Sequence, residues 1–304
     1  MKKRLLAMVI SGILLLTACR PDKEHADKEK TIYASFYPVY ALSKLVLDDI
    51  PEIELKCLVQ PQDDCLRLYD LSDWDASVLA YDADAVIIAG NGLESFENLL
   101  YTFGDNGPAI ITATYNTELY TAGEAGNQGD QTHFAGKNPH SYMSIPLASE
   151  MLQTIVNSLK ELYPELDEVF DEKLAIAAAD FSELEKTIGE LYDRLQNTPV
   201  IIMNEALIYT ARDLGLNIEY IYERESGTTL YGSALEDAIS VFNNCDSSVI
   251  LIEKQAPAEL LLALNEAGFR VAEIDIMSAF SYESDRDYFE IQKQNAANIA
   301  AAFE

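Results

Sequence analysis

Positive charge is scarce in this chain: 21 Lys and Arg stand against 51 Asp and Glu, a net charge of −30. So acidic a surface repels phosphate backbones and excludes nucleic acid as a partner. The excess itself reads as a solubility device and carries no ligand information. Cysteine is sparse as well, four in 304 residues, which excludes a small fold stapled by a disulfide framework. Long apolar runs are missing; the one candidate, residues 5–16, is too short to cross ~30 Å of hydrocarbon comfortably. Catalytic signatures are absent too. There is no G-x-S-x-G elbow, no Walker loop, no G-x-G-x-x-G after a strand and no H-E-x-x-H. The chain therefore reads as a non-enzyme; an extracellular hydrolase would rest on carboxylates alone.

What the N-terminus does contain is an export signal. Lys2, Lys3 and Arg4 precede the apolar stretch, and small residues follow before Cys19. Leu16-Thr17-Ala18-Cys19 matches the lipobox of bacterial lipoproteins, in which the cysteine is acylated and becomes the mature N-terminus. Residues 1–18 are thus expected to be a signal peptide, with Cys19 the lipidation site and membrane anchor. The highly charged segment through residue 30 lacks an apolar pattern and is expected to be a disordered tether, with His25 solvated within it.

From residue 31 onward, short β-rich runs alternate with amphipathic stretches. The runs are TIYASFY, IELKCLV, DAVIIAG and PAIITAT, then PVIIMN, IEYIYE, SVILIE and FRVAEIDI. Helical candidates between them include VYALSKLVL, LESFENLLYTF, ALIYTARDLG, ALEDAISVF and PAELLLALNEAG. Such alternation predicts βαβ units and parallel sheets. Local punctuation agrees: Pro38 suits a first helical turn, Ser72/Asp75 and Ser233/Glu236 have capping-box spacing, and Gly215 and Gly268 sit where helices should stop. From about 165 to 196, apolar residues including Phe170, Leu174, Ala177, Phe181 and Leu184 step by four and three, one stripe on one helix face. At 1.5 Å per residue that helix is roughly 45 Å long, a stiff strut along two lobes, with a coiled-coil partner strand as the other reading. The predicted architecture is α/β: two lobes, each a parallel sheet flanked by helices, at 31–164 and 198–304, joined by one long α-helix at 165–197. A ligand is expected in the cleft facing the carboxyl ends of the strands.

Several segments, in order and spacing, resemble the metal-binding solute-binding proteins of ABC importers, the family that takes up zinc or manganese. They are SFYPVYALSK, LVQPQ, LSDWDASVLAYDADAVIIAGNGLESF and NPHSYMSIP in the first half. MNEALIYTARDLGLN, ERESGTT, ILIEKQAPAELLLALNEAG and VAEIDIM follow in the second. The resemblance implies a metal held between the lobes by three His and one carboxylate. It places the second His on His140 and the carboxylate on Asp275. The first His falls near Cys65, and the third is replaced by Asn204 in Asn204-Glu205-Ala206. The implied set is Cys65, His140, Asn204 or Glu205, and Asp275, with Glu253 hydrogen-bonding from behind. A thiolate in place of an imidazole leans the cargo towards Zn2+, with Mn2+ the alternative.

Competing readings stand beside each of these. Cys65 lies eight residues from Cys57, and a disulfide between them would withdraw its sulfur. His140 would otherwise cap the following helix, and Asp275 would end a strand. Cys245 reads as a buried, inert thiol, and His133 in the polar loop 116–138 as solvated. The family implies a monomer that delivers to an ABC permease in the cytoplasmic membrane, working at that membrane's outer face. The rival is a lipoprotein of the same fold with a degraded metal site, binding another small ligand or acting as a scaffold.

Overall fold

A computed structural model describes residues 30–59, 69–120, 137–222, 228–277 and 287–304, together with the backbone of 127–128. The leader, Cys19 and His25, as well as Cys65 and His133, lie outside the described residues. Among the described residues no helix is long and apolar enough to cross a membrane.

Every apolar run singled out above forms a strand, and among the described residues every strand pairing is parallel. In the first sheet β1 (Lys30–Ala34), β2 (Ile53–Cys57), β3 (Ala85–Ile88) and β4 (Ala109–Thr112) lie in the order β2-β1-β3-β4. In the second, β5 (Asn127–Gln128), β6 (Pro199–Ile202), β7 (Asn217–Ile221), β8 (Val249–Glu253) and β9 (Arg270–Ile274) lie in the order β5-β7-β6-β8-β9. The strands β3 (AVII) and β8 (VILIE) are buried at every residue, because helices cover both faces of a parallel sheet.

The helices between them are α1 (Tyr37–Leu47), α2 (Asp73–Asp82), the short α3 (Glu97–Leu100), α4 (Ile145–Leu162) and α5 (Asp167–Leu195). In the second half they are α6 (Leu207–Asp213), α7 (Gly232–Phe242), α8 (Ala258–Glu266) and α9 (Tyr288–Ala302). Local rules set most of their ends. Ser72 Oγ accepts the Asp75 amide at 3.1 Å to start α2, and Pro38 sits in the first turn of α1. Gly215 (φ 63°) and Gly268 (φ 95°) take the left-handed conformation that stops α6 and α8. Two expectations are corrected. Helix α7 begins at Gly232 behind an uncapped Tyr231, so Ser233 caps nothing. The stretch 93–103 is no single helix: α3 gives way to a 3-10 turn broken at Gly104 (φ 66°).

Helix α5 is the predicted strut, 29 residues and roughly 43 Å at 1.5 Å per residue. Pro164 and Leu166 form a 3-10 turn ahead of it, so it starts at Asp167. Its stripe (Phe170, Ala177, Phe181, Leu184, Leu191, Leu195) is buried against α1, α4 and α9. Strand alternation then divides the second half into two cores. On β6 and β8, Val200, Ile202, Val249 and Leu251 face the core that runs through α5 into the first sheet. Their neighbours Ile201, Met203, Ile250 and Ile252 join Phe242, Leu260 and Leu264 in a separate outer core. One hydrophobic core is therefore continuous from Ile32 and Val86, across the helices, to Leu251 and Ile274. Half-buried Cys245 packs at the rim of the outer core, where burial raises its thiol pKa and Glu219 and Asp246 raise it further.

Candidate metal centre

Parallel strands bring their carboxyl ends to one edge, and in the second sheet that edge carries four of the residues in question. Asn204 and Glu205 follow β6, Glu253 ends β8 with Lys254 beyond it, and Asp275 follows β9. Backbone bonds from Met203 to Leu251 (3.0 Å) and from Lys254 to Ile274 (2.8 Å) hold these ends in register. Glu253 is 0% exposed, a carboxylate sunk in the apolar edge.

Asp275 is fixed on several sides. Its backbone amide donates to Asn295 Oδ1 (2.8 Å), and its carbonyl accepts from Asn295 Nδ2 (3.0 Å), so one buried side chain on α9 grips its peptide twice. The carboxylate accepts the Met277 amide on Oδ1 (3.0 Å), which holds Met277 in a left-handed conformation (φ 58°). Its other oxygen, Oδ2, faces Lys254 Nζ at 3.5 Å.

The Asn204 side chain has a local task. Its Oδ1 accepts the Ala206 amide (2.9 Å) and its backbone carbonyl accepts Leu207 N (3.1 Å), which closes an Asx turn ahead of α6. Glu205 is buried beside it, and its carbonyl accepts Asn138 Nδ2 at 3.0 Å.

Asn138 connects this turn to His140. Its Oδ1 accepts both the His140 amide (3.0 Å) and His140 Nδ1 (2.8 Å). A side-chain carbonyl can only accept, and Asn138 Nδ2 is committed to another carbonyl, so the amide orientation is determined. Nδ1 then carries a proton, which in the neutral imidazole leaves the lone pair on Nε2. The imidazole edge meets Tyr142, with centroids 5.9 Å apart.

Both loops hang from one helix. Tyr288, at the start of α9, donates its hydroxyl to the Tyr142 carbonyl (2.8 Å), while Asn295 holds Asp275. Complete burial raises the Tyr288 phenol well above its ordinary value, so it remains a donor. Seven residues separate Tyr288 from Asn295, two turns on one face, and about 10 Å along the helix. Phe181 of α5 sets that face in place, packing at 5.7 Å on Tyr288 and 4.9 Å on Phe289.

The His140 segment is also bound to α6. Tyr209 donates to the Asn138 carbonyl (2.5 Å) and stacks on Tyr120 at 4.7 Å, with the Arg212 guanidinium 4.2 Å from the Tyr120 ring centre. Asp213 receives Ser144 Oγ (3.0 Å) and the Ile145 amide (2.9 Å) at the start of α4. Burial pushes the Asp213 carboxyl up to about 6, against the lowering effect of those two donors.

The first sheet contributes a buried acid that sequence reasoning missed. Glu94 is 2% exposed just beyond β3 and accepts from Ser35 Oγ (2.7 Å), Ala89 N (2.7 Å) and Gly90 N (2.9 Å). Burial raises its pKa. Asn138, Lys254, Tyr288 and Asn295 were missed as well, although Asn138 and Lys254 stand inside the quoted segments NPHSYMSIP and ILIEKQAPAELLLALNEAG. Cys57 ends β2, its thiol pushed up to about 12 by burial and donating to the Val59 carbonyl at 3.4 Å. Its suggested partner Cys65 lies outside the described residues. Among the described residues no three His, Cys, Asp or Glu side chains are close enough together to hold a metal.

Two parallel α/β sheets spanned by one long helix, with polar loops at the strands' carboxyl ends, define the class of bilobal solute-binding proteins with a rigid connecting helix. The chain belongs to the ZnuA family, described as zinc-uptake complex component A, periplasmic, whose profile matches residues 32–302. The zinc-binding lipoprotein AdcA of Streptococcus pneumoniae (strain ATCC BAA-255 / R6) is 24% identical over 306 residues, covering 97% of this chain and 60% of that protein. The chain thus spans about 60% of the length of the curated relatives it matches. Among solved structures, the Zn(II)-bound ZnuA-like domain of S. pneumoniae AdcA superposes with a TM-score of 0.77 at 21% identity, over 90% of this chain and 98% of that one. FpvC from Pseudomonas aeruginosa in complex with Mn2+ gives 0.73 at 21% identity, over 90% and 98%. These likenesses establish the fold.

Proposed function

We propose that the protein captures a transition-metal ion, with zinc favoured over manganese, between lobes at 31–164 and 198–304 joined through 165–197. It then delivers the ion to an ABC permease. In this reading the chain is exported, works as a monomer, and is held by lipid on Cys19 at the outer face of the cytoplasmic membrane. The observation that carries the proposal is the Asn138–His140 pair. A ligating imidazole needs one nitrogen's proton anchored so that the other presents its lone pair, and Asn138 Oδ1 does this at 2.8 Å.

The ligand set we propose is His140 Nε2, the Asp275 carboxylate, Glu205 and Cys65; its three described members are not grouped closely enough to hold a metal as they stand, so binding must draw them together. Asn204 is the weaker alternative to Glu205, because its Oδ1 already accepts the Ala206 amide. Glu253 supports the site from behind. AdcA is described as zinc-binding, and its ZnuA-like domain has been solved with Zn(II) bound, which favours zinc here.

Elemental analysis after purification in zinc and in manganese tests the reading. One zinc per chain is expected, with a higher melting temperature that His140→Ala abolishes. If neither metal raises the melting temperature and His140→Ala changes nothing, the proposal fails. A thiol count on the unreduced protein decides Cys65: protection of both Cys57 and Cys65 removes that sulfur from the set.

A further inference from the structure

The Asp275 carboxylate already faces a cation of the chain's own. Lys254 Nζ lies 3.5 Å from Oδ2, while Oδ1 is taken by the Met277 amide. The placement is built into the sheet edge: the Lys254 amide donates to the Ile274 carbonyl at 2.8 Å, so the backbone of Lys254 sits beside the residue preceding Asp275. The two partners differ in their access to water. The Asp275 side chain is 9% exposed and cannot turn away, whereas that of Lys254 is 53% exposed on a flexible four-carbon stem.

We infer that Lys254 is an internal competitor for the cargo, occupying Asp275 Oδ2 and swinging into solvent when a divalent ion takes its place. The inference rests on the metal-capture reading above. A carboxylate oxygen binds zinc at about 2.0–2.2 Å. An ammonium left 3.5 Å from that same oxygen would stand within about 6 Å of the ion, like charge against like in a poorly solvated site. The oxygen therefore serves one cation at a time. Exchange of this kind weakens capture and speeds surrender, since the returning ammonium re-neutralises the carboxylate as the metal departs. A protein that must hand over its cargo gains from both effects.

Zinc affinity of the full chain, measured in competition with a chromogenic chelator, tests this on the wild type, Lys254→Gln, Lys254→Arg and His140→Ala. Removing the charge should tighten zinc binding by about twofold to fivefold, the worth of a half-exposed ion pair, and slow transfer to the chelator. Lys254→Arg, which restores a cation at the same place, should return the affinity to near the wild-type value. Equal or weaker binding by Lys254→Gln overturns the competitor role. If the wild type binds zinc, His140→Ala loses it and Lys254→Gln matches the wild type, only this inference falls. If the wild type takes up no zinc, the metal-capture reading falls and takes the competitor role with it.

Discussion

Replacing Asp213 by Asn should reveal a pH-dependent contribution to stability from the junction between α6 and α4. The carboxyl titrates near 3.8 when exposed and at about 6 in the fold, because burial disfavours its charge more than the Ser144 hydroxyl and Ile145 amide favour it. An acid with a raised folded pKa binds its proton more tightly when folded. Its stabilising effect is therefore full below about pH 4 and is lost as pH rises through 6. The difference between 3.8 and about 6, at 1.36 kcal/mol per decade, is about 3 kcal/mol. The Asp213→Asn variant would carry no such dependence, while keeping an oxygen for one of the two donors. Urea unfolding of both proteins across pH 4–8 should show wild type minus variant falling by about 2–3 kcal/mol as pH rises, most steeply between about 4 and 6 and flat above 7. Taking the difference cancels the many other carboxylates. A flat difference would refute the assignment of a buried, proton-retaining acid to this junction.

Phe181→Ala removes the ring that seats Tyr288 and Phe289, and should cost about 3–5 kcal/mol in urea denaturation. It should also weaken zinc uptake, because Tyr288 would no longer hold the His140 turn. Asn138→Ala leaves His140 in place but frees its tautomer and its link to Glu205. A 10–100-fold loss of zinc affinity by calorimetric titration is expected, and unchanged affinity would count against the role given to Asn138.

The eight apolar strands were legible because short apolar runs between turn residues have few alternatives, and the burial of AVII and VILIE at every position is what a doubly covered parallel strand requires; the two-residue β5, inside the stretch read as a polar loop, carries no such pattern. Ends governed by one residue were legible as well: Ser72, Gly215 and Gly268 act on their own backbone. Helix α9 was harder. Gln292 and Asn295 are polar yet buried, so its inner face does not look apolar in the sequence. The same property hid its role, since a residue that grips Asp275 across 20 positions, or Tyr142 across 146, leaves no mark near either. His140 and Asp275 were singled out by resemblance, not by periodicity. Asn204 was visible as a departure, but its hold on the Ala206 amide appears only with the turn geometry.

The position of α9 in the chain has a consequence for the order of events during synthesis. Tyr288 and Asn295 leave the ribosome after residues 140 and 275, the two segments they restrain. Until they arrive, the His140 turn lacks its tie to Tyr288, and the Asp275 peptide has no partner for its amide. The paired loops thus gain their final geometry late, when α9 docks on α5 and β9. A nascent chain thus brings these two loops to their folded arrangement only in that closing step.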